Sequence, residues 1–276
     1  VSGAFLLLPF QVSVLGFTSP AVSPTNLIYN VVATPGGIYR YVRERRIVWP
    51  LAWTVVLGTL PGVFVGAVLR VRYLADPRAF KVFVGCVLLY LGARLLFEAL
   101  GRLRGRVRQP PPQANPDEGR LPIVGVVQTT RISPRTIEYE FAGGRFSFDT
   151  IPVLLLSLVV GVVGGIYSIG GGSIIAPFFV LIFGLPVYTV AGAALIATFL
   201  TSVAGVVFFQ LLAATDLGAQ ATVAPDWLLG TILGIGGLAG SYVGARAQRH
   251  LPDLWIRIVL GSLVILLASS YIGELL

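Results

Sequence analysis

The fold of this chain is decided by residues 161–186, which read GVVGGIYSIGGGSIIAPFFVLIFGLP. They overlap an uncharged segment, 151–184, that is 34 residues long. As one straight helix this segment would measure about 50 Å, whereas the hydrocarbon core of a bilayer is roughly 30 Å thick. The glycines at its centre are poor helix formers. We therefore expect two half-helices that enter the membrane and meet at this break. The alternative is one long tilted helix that runs into a surface loop.

The composition of the whole chain places this segment in a membrane protein. Of 276 residues, 55% are hydrophobic and 12% are charged, and the mean hydropathy is +0.86. A soluble domain carries roughly 25% charged residues, about twice as many. The chain is predicted to be an all-α polytopic membrane protein in a lipid bilayer. Its apolar segments are 1–17, 19–39, 50–69, 80–99, 151–184, 187–213, 226–247 and 254–273.

The charged and metal-binding residues argue against several other functions. The net charge is +8, but the basic residues are not interleaved with aromatic ones, so we expect no nucleic-acid partner. The single cysteine, Cys86, lies in an apolar run and the single histidine, His250, in a basic loop, so we expect no disulfide framework, no metal and no cofactor. No Asp or Glu lies mid-span and neither Ser168 nor Ser173 has a nearby base, so an enzyme is not expected.

The first apolar segment repeats the fifth at an offset of 168 residues. The aligned pairs are Gly3 with Gly171, Pro9 with Pro177 and Gly16 with Gly184. Two halves with one architecture are the usual construction of secondary transporters. We predict membrane repeats at 1–99 and 151–276, each a Gly-rich broken or re-entrant segment plus three transmembrane helices. Because the chain has no methionine and residue 1 falls inside the first broken segment, we expect its first half-helix to be missing.

An insert at 100–150 separates the two halves. Its stretch TIEYEFAGGRFSFD, 136–149, alternates apolar and polar residues on both sides of Gly-Gly, which predicts an extramembrane β-hairpin. A re-entrant segment plus three crossings makes the halves inverted. Sixteen of the 20 Lys and Arg residues then share one side, against thirteen if every segment crosses. Because Lys and Arg are enriched in cytoplasmic loops, we expect inverted repeats and a cytoplasmic insert.

The broken segments are the expected binding site. Half-helix N-termini present free N–H groups and the positive end of the helix dipole, both of which attract anions. The next helix carries polar side chains on one face, at spacings of three and four residues. The predicted substrate-binding residues are Ser2, Gly3, Asn26, Asn30, Ser168, Gly170, Gly171, Gly172, Ser173, Thr198, Thr201 and Ser202. The alternatives are that the glycines serve only helix packing and that the amides only join helices.

These motifs resemble the TauE/SafE sulfite exporter family, also called the TSUP permeases. The resemblance lies in 161–186, in the degenerate copy SGAFLLLPFQVSVLGFTSP at 2–20 and in SPTNLIYNVVATPGG at 23–37. It implies a multi-pass transporter of the cytoplasmic membrane that moves sulfite, thiosulfate or organosulfonates. The residues leave the coupling open between a proton carried on the substrate, sodium held by backbone carbonyls and uncoupled flow.

Two further expectations concern partners. The motifs GVFVG at 62–66 and GSYVG at 240–244 could pack against a second copy of the chain in a homo-oligomer. The alternative function is a membrane subunit or facilitator for another small anion, docked to a partner protein through the insert at 109–149.

Overall fold

The computed structural model describes residues 3–17, 19–103, 127–133, 135–141, 143–215, 223–247 and 253–273. Within these ranges the chain is mostly helical. The helices are α1 Ala4–Ser13, α2 Val22–Ala33, α3 Pro35–Arg43, α4 Trp49–Arg72, α5 Pro77–Leu103, α6 Thr150–Tyr167, α7 Gly171–Ile182, α8 Val187–Ala213, α9 Trp227–Ala247 and α10 Asp253–Gly273. The strands are β1 Gln128–Ile132, β2 Thr136–Phe141 and β3 Gly144–Asp149. Ser2 and His250 lie outside the described residues.

Four helices of the described part are long and apolar enough to cross a membrane. They cover Trp49–Arg72, Pro77–Gly101, Thr150–Tyr167 and Thr189–Ala213. Shorter apolar helices cover Ala4–Ser13, Trp227–Val243 and Ile258–Gly273. The prediction of a mostly helical, multi-pass membrane protein is confirmed.

Three of the predicted apolar segments are interrupted or shortened in the structure. Helix α1 ends before Gly16, whose φ is +64°. The segment 19–39 divides into α2 and α3 at Thr34, because Pro35 has no N–H to continue the backbone ladder and instead occupies the first turn of a new helix. The segment 151–184 divides into α6 and α7 around residues 168–170. The expected break is therefore present, and one continuous helix is not.

The described helices fall into two compact units. The first comprises Val1–Ala75 and Gly125–Leu238, and the second comprises Asp76–Val124 and Ala239–Leu276. In the second unit α5 packs along α10, and a Cβ added to Gly92 would lie 3.2 Å from the carbonyl oxygen of Gly261. The first unit holds the helix break, and all contacts discussed below lie within it.

Glycines bring α4 and α6 of the first unit into backbone contact. A Cβ added to Gly62 would lie 2.8 Å from the nitrogen of Val162, and one added to Gly66 would lie 2.9 Å from the Cα of Gly165. Small residues four positions apart are typical of close membrane-helix packing. The two glycines of the GVFVG motif thus face α6 of the same chain. Gly240 of the GSYVG motif, in contrast, has open space around it.

The predicted β-hairpin is confirmed, and it gains a third strand. Strands β2 and β3 pair antiparallel with Phe141 opposite Gly144, and β1 pairs with the other edge of β2. The side chain of Tyr139 is fully buried, and its hydroxyl lies 3.0 Å from Oγ1 of Thr189 at the start of α8. Burial raises the pKa of Tyr139 to about 12. The sheet is therefore anchored to the helices of the first unit.

Candidate functional site at a glycine-rich helix break

The break between α6 and α7 has a backbone shape that few residues adopt. Helix α6 ends at Tyr167, and Ser168 follows in the left-handed conformation with φ +63° and ψ +40°. Gly170 then takes φ +80° and ψ +135°, a conformation open to glycine because it has no Cβ. The nitrogen of Ile169 donates to the carbonyl of Gly164 at 3.2 Å, which caps the end of α6. Three residues thus end α6 and lead into α7, which starts at Gly171.

The three contiguous glycines allow α4 and α8 to approach this break. A Cβ on Gly171 would lie 2.8 Å from the Cβ of Thr59 on α4. A Cβ on Gly172 would lie 2.7 Å from the nitrogen of Thr198 on α8, and one on Gly170 would lie 2.9 Å from Oγ of Ser202. Each distance is shorter than packed side chains tolerate, so none of the three positions accepts a side chain without movement. The glycines therefore have a packing role here, because they bring α4 and α8 close to the backbone of the break.

Two asparagines of α2 hold the backbone of the break. The Nδ2 of Asn26 donates to the carbonyl of Ser168, and the Nδ2 of Asn30 donates to the carbonyl of Ile169, each at 2.8 Å. Both side chains are at most 1% exposed. A buried amide that bonds a distant backbone group is a specific contact, because an unmade hydrogen bond in a dry interior is costly. The polar face that the sequence placed on α2 thus faces the break, and it does so by fixing consecutive carbonyls.

The hydroxyls of α8 differ in how they are used. Thr198 donates to the carbonyl of Ala194 at 2.8 Å, and Thr201 donates to the carbonyl of Ala197 at 2.6 Å. The oxygen of Thr201 also accepts a long hydrogen bond, 3.3 Å, from the nitrogen of Gly171. The Oγ of Ser202 is buried and has no hydrogen-bond partner among the described residues.

The side-chain oxygens of the two asparagines, like Oγ of Ser202, lack a hydrogen-bond partner among the described residues. Oδ1 of Asn26 and Oδ1 of Asn30 are both buried, and the described part of the chain gives neither a hydrogen-bond partner. Three buried side-chain atoms next to residues 168–170 thus have no hydrogen-bond partner in the described part of the chain. A folded protein satisfies most of its buried polar atoms, so a cluster of exceptions indicates a site that something else completes.

Backbone donors face the break from the other side. The first N–H groups of a helix have no partner within it and form the positive end of its dipole. In α7 these belong to Gly171, Gly172 and Ser173, of which Gly171 already donates to Thr201. The first turn of α7 therefore begins inside the protein, with Gly171 and Gly172 both buried.

Most of the residues expected at the site come together in the first unit. The break and its neighbours on α2 and α8 include Asn26, Asn30, Ser168, Gly170, Gly171, Gly172, Thr198, Thr201 and Ser202. Ser173 lies in the first turn of α7, and the description of the structure does not extend to its side chain. Gly3 lies at the exposed start of α1, where the hydroxyl of Tyr29 is the group an added Cβ would meet first, at 2.6 Å.

One contact of the site was not expected from the sequence. Thr59 of α4 is fully buried and packs its side chain against Gly171. The signal that could have indicated it was a threonine in the middle of the apolar run of α4, five residues after Thr54. The described residues contain no group of three or more His, Cys, Asp and Glu side chains able to hold a metal ion, so the polar chemistry of the site is that of neutral amides, hydroxyls and backbone groups.

Comparison with known proteins gives one family and one relative. The family model "Sulfite exporter TauE/SafE" matches residues 1–271 of this chain. The chain is 22% identical over 250 residues to a protein of Bacillus subtilis (strain 168) described as "Probable membrane transporter protein YunE", and the aligned region covers 91% of this chain and 80% of that protein. No solved structure matches the chain.

Proposed function

The chain belongs to the sulfite exporter TauE/SafE family, and on that premise we propose that it carries small sulfur-containing anions, such as sulfite, thiosulfate or organosulfonates, across the cell membrane. It is a membrane transporter, and the proposal concerns its substrate, its site and its arrangement in the bilayer. One observation carries the proposal: the start of α7 is buried among α2, α4 and α8 with N–H groups that α7 itself cannot satisfy.

The anion would bind at the first turn of α7. The N–H groups of Gly172 and Ser173 point backward from the helix start, and the positive end of the α7 dipole adds to their attraction. An oxyanion of sulfur has several acceptor oxygens, so backbone N–H groups can bind it without a side chain of a particular shape. Glycine at 170–172 supports this role, because the absence of a Cβ brings the polar residues Thr59, Thr198 and Ser202 close to the backbone where the anion would bind.

The asparagines would serve this anion site indirectly. Asn26 and Asn30 donate their N–H groups to the carbonyls of Ser168 and Ile169. They would thereby hold the break in the conformation that presents the start of α7 to the anion. Thr201 holds the N–H of Gly171 in the same way. In this proposal Gly172 and Ser173 contact the anion, and the amides position them.

The two halves would be inverted repeats with re-entrant broken segments, at 1–99 and 151–276, and the insert at 100–150 would be cytoplasmic. Two features of the first unit support the repeat. Gly16 and Gly184, paired by the offset of 168, both have positive φ, +64° and +63°. Each follows a short helix that contains a proline, Pro9 in α1 and Pro177 in α7. The basic residues at 40–46 and in the insert support the cytoplasmic side for both.

Uptake into proteoliposomes tests the proposal. Purified protein would be reconstituted and supplied with radiolabelled sulfite or thiosulfate, with chloride and an amino acid as competitors. We expect saturable uptake that sulfur oxyanions compete for and the other two do not. A folded protein that moves neither labelled anion nor any organosulfonate competitor would reject the substrate class.

A matched pair of glycine variants tests the site. Gly171→Leu places a side chain where Thr59 already lies, so uptake is expected to be abolished, whereas Gly236→Leu on α9 enters open space and should leave uptake unchanged. If Gly171→Leu fails to insert, the smaller Gly171→Ala gives the same comparison. Full uptake by a properly inserted Gly171→Leu protein would refute the site at α7.

A further inference from the structure

Around the break, the NH₂ groups of both asparagines are used in hydrogen bonds, whereas their oxygens have no partner among the described residues. Both asparagine amides and the hydroxyls of Thr198 and Thr201 donate to backbone carbonyls. Around the break, the buried side-chain atoms that have no hydrogen-bond partner among the described residues are Oδ1 of Asn26, Oδ1 of Asn30 and Oγ of Ser202. The two asparagine oxygens cannot bind an anion, because an amide oxygen carries a partial negative charge and repels it. The two asparagine oxygens therefore fit a different ligand from the one at the start of α7, and the hydroxyl oxygen of Ser202 can contribute to binding it.

The orientation of the two amides is fixed by their partners. A carbonyl oxygen only accepts hydrogen bonds, so the group 2.8 Å from the carbonyl of Ser168 or Ile169 must be the NH₂ end of the side chain. The oxygen end of each asparagine is consequently the free end. Asn26 and Asn30 lie on one face of α2 and bond the carbonyls of adjacent residues of the break.

We propose that these oxygens, with the carbonyl end of α6, bind a monovalent cation, Na⁺. The carbonyl of Ser168 accepts one N–H from Asn26, and a carbonyl oxygen has two lone pairs. Ser168 follows the C-terminal end of α6, which is the negative end of its dipole. Neutral amide, hydroxyl and carbonyl oxygens suit a hard ion of single charge. Ca²⁺ and Mg²⁺ bind through carboxylates, which the described residues of this site lack.

Ser202 supports the same assignment from α8. Its neighbours Thr198 and Thr201 both donate to the carbonyl four residues earlier, as buried helical hydroxyls commonly do. Ser202 makes no such bond, and its Oγ is 2.9 Å from where a Cβ of Gly170 would lie. The hydroxyl is thus turned toward the break. A proton carried on the substrate would satisfy one oxygen only, whereas a cation satisfies oxygens from α2 and α8 together.

The two ligands would then occupy opposite sides of one break. The anion lies at the positive start of α7, and the cation lies at the negative end of α6 and the asparagine oxygens. Opposite charges at short range in a dry interior favour each other's binding, which provides a direct means of coupling. The role of Na⁺ as coupling ion rests on the proposed transport function, but its binding does not.

Thermal unfolding in detergent tests the binding without any sulfur anion. The midpoint would be measured in NaCl, KCl and choline chloride at equal ionic strength, with wild type, Ser202→Ala and Ser157→Ala. Ser202→Ala removes an oxygen that has no partner, so the fold keeps all its described hydrogen bonds. Ser157→Ala is the matched control, because Ser157 is equally buried but donates to the carbonyl of Val153.

We expect Na⁺ alone to raise the midpoint of wild type and of Ser157→Ala. In Ser202→Ala the half-saturating Na⁺ concentration should rise about ten- to hundredfold, as loss of one bond to a charged group implies. Identical midpoints in the three salts for wild type would overturn the proposal. An equal Na⁺ response in Ser202→Ala and wild type would also overturn it, because the cation would then lie elsewhere.

Uptake measurements separate this inference from the transport function. Sulfite or thiosulfate uptake that requires an inward Na⁺ gradient, together with the Na⁺-specific midpoint shift, supports both. Uptake that continues at full rate when choline replaces Na⁺ and a proton gradient drives it overturns Na⁺ as the coupling ion and leaves the transport function standing. A Na⁺-specific midpoint shift in a protein that moves no sulfur anion leaves the cation site standing and rejects the proposed substrate.

Discussion

Gly170→Ala perturbs the break with one methyl group, and its cost can be derived from the structure. The residue has φ +80° and ψ +135°, which an alanine reaches only under strain. Its new Cβ would lie 2.9 Å from Oγ of Ser202 and 3.1 Å from the carbonyl oxygen of Thr198. Backbone strain of about 1–3 kcal/mol and overpacking of about 1–3 kcal/mol together give a loss of about 2–6 kcal/mol in the free energy of unfolding.

Gly184→Ala is the control for the backbone component. Gly184 also has positive φ, +63°, but no atom lies within 4 Å of the place where its Cβ would be. The expected loss is therefore the left-handed strain alone, about 1–2 kcal/mol. Gly16→Ala, with φ +64° and equal open space, should behave in the same way.

The assay combines a denaturant titration in mixed micelles with sulfite uptake at matched amounts of inserted protein. We expect Gly170→Ala to lose more stability than Gly184→Ala and to lose uptake, since the break is forced away from α8. Gly184→Ala should retain most of its uptake. Equal stability and equal uptake in the two variants would refute the claim that crowding between the break and α8 shapes the site.

Other contacts give further predictions. Gly62→Ile should prevent α4 from packing on α6 and sharply lower the yield of folded protein in size-exclusion profiles, whereas Gly240→Ile, in open space, should not; equal yields would contradict the packing. Tyr139→Phe removes the contact with Thr189 and should cost about 1 kcal/mol of stability by denaturant titration. Burial raises the pKa of Tyr139 from about 10 to about 12, so the folded state holds this proton more tightly than the unfolded state. The resulting stabilisation is complete below pH 10 and is lost as the pH rises to 12. Wild-type stability should therefore fall between pH 10 and 12 more than that of Tyr139→Phe. Tyr167→Phe removes a 3.0 Å bond to a carbonyl of α1 and should increase proteolysis of α1, while unchanged cleavage would show that the bond is dispensable.

Most helices could be predicted from the sequence because their limits are chemical. The predicted segment 187–213 coincides with α8, and those at 50–69 and 80–99 differ from α4 and α5 by at most four residues at either end. Charged or helix-breaking residues bound these segments, so length and hydropathy locate them. The division at Thr34 was missed although Pro35 signalled it, because an uninterrupted apolar run outweighed one proline in the interpretation.

The site was predictable in its membership but not in its chemistry. A spacing of four residues places Asn26 and Asn30 on one face of a helix, and this follows from helical geometry alone. The orientation of each amide is set by a carbonyl that is distant in sequence, 142 residues away for Asn26 and 139 residues away for Asn30. No local sequence pattern contains that information. The asparagines were expected to line an anion cavity, yet the atoms that they leave available are acceptors.

The burial of this break constrains how any ligand reaches it. Asn26, Asn30, Thr201 and Ser202 are at most 1% exposed, so the structure is closed around residues 168–170. A ligand can enter only if a helix packed on the break, such as α2, α4 or α8, moves away from it. Movement of α2 breaks the two 2.8 Å bonds to the carbonyls of Ser168 and Ile169, and movement of α8 breaks the 3.3 Å bond between Gly171 and Thr201. A cation bound to both Ser202 and the asparagines would join α2 to α8, so it would hold the closed state and release it on leaving.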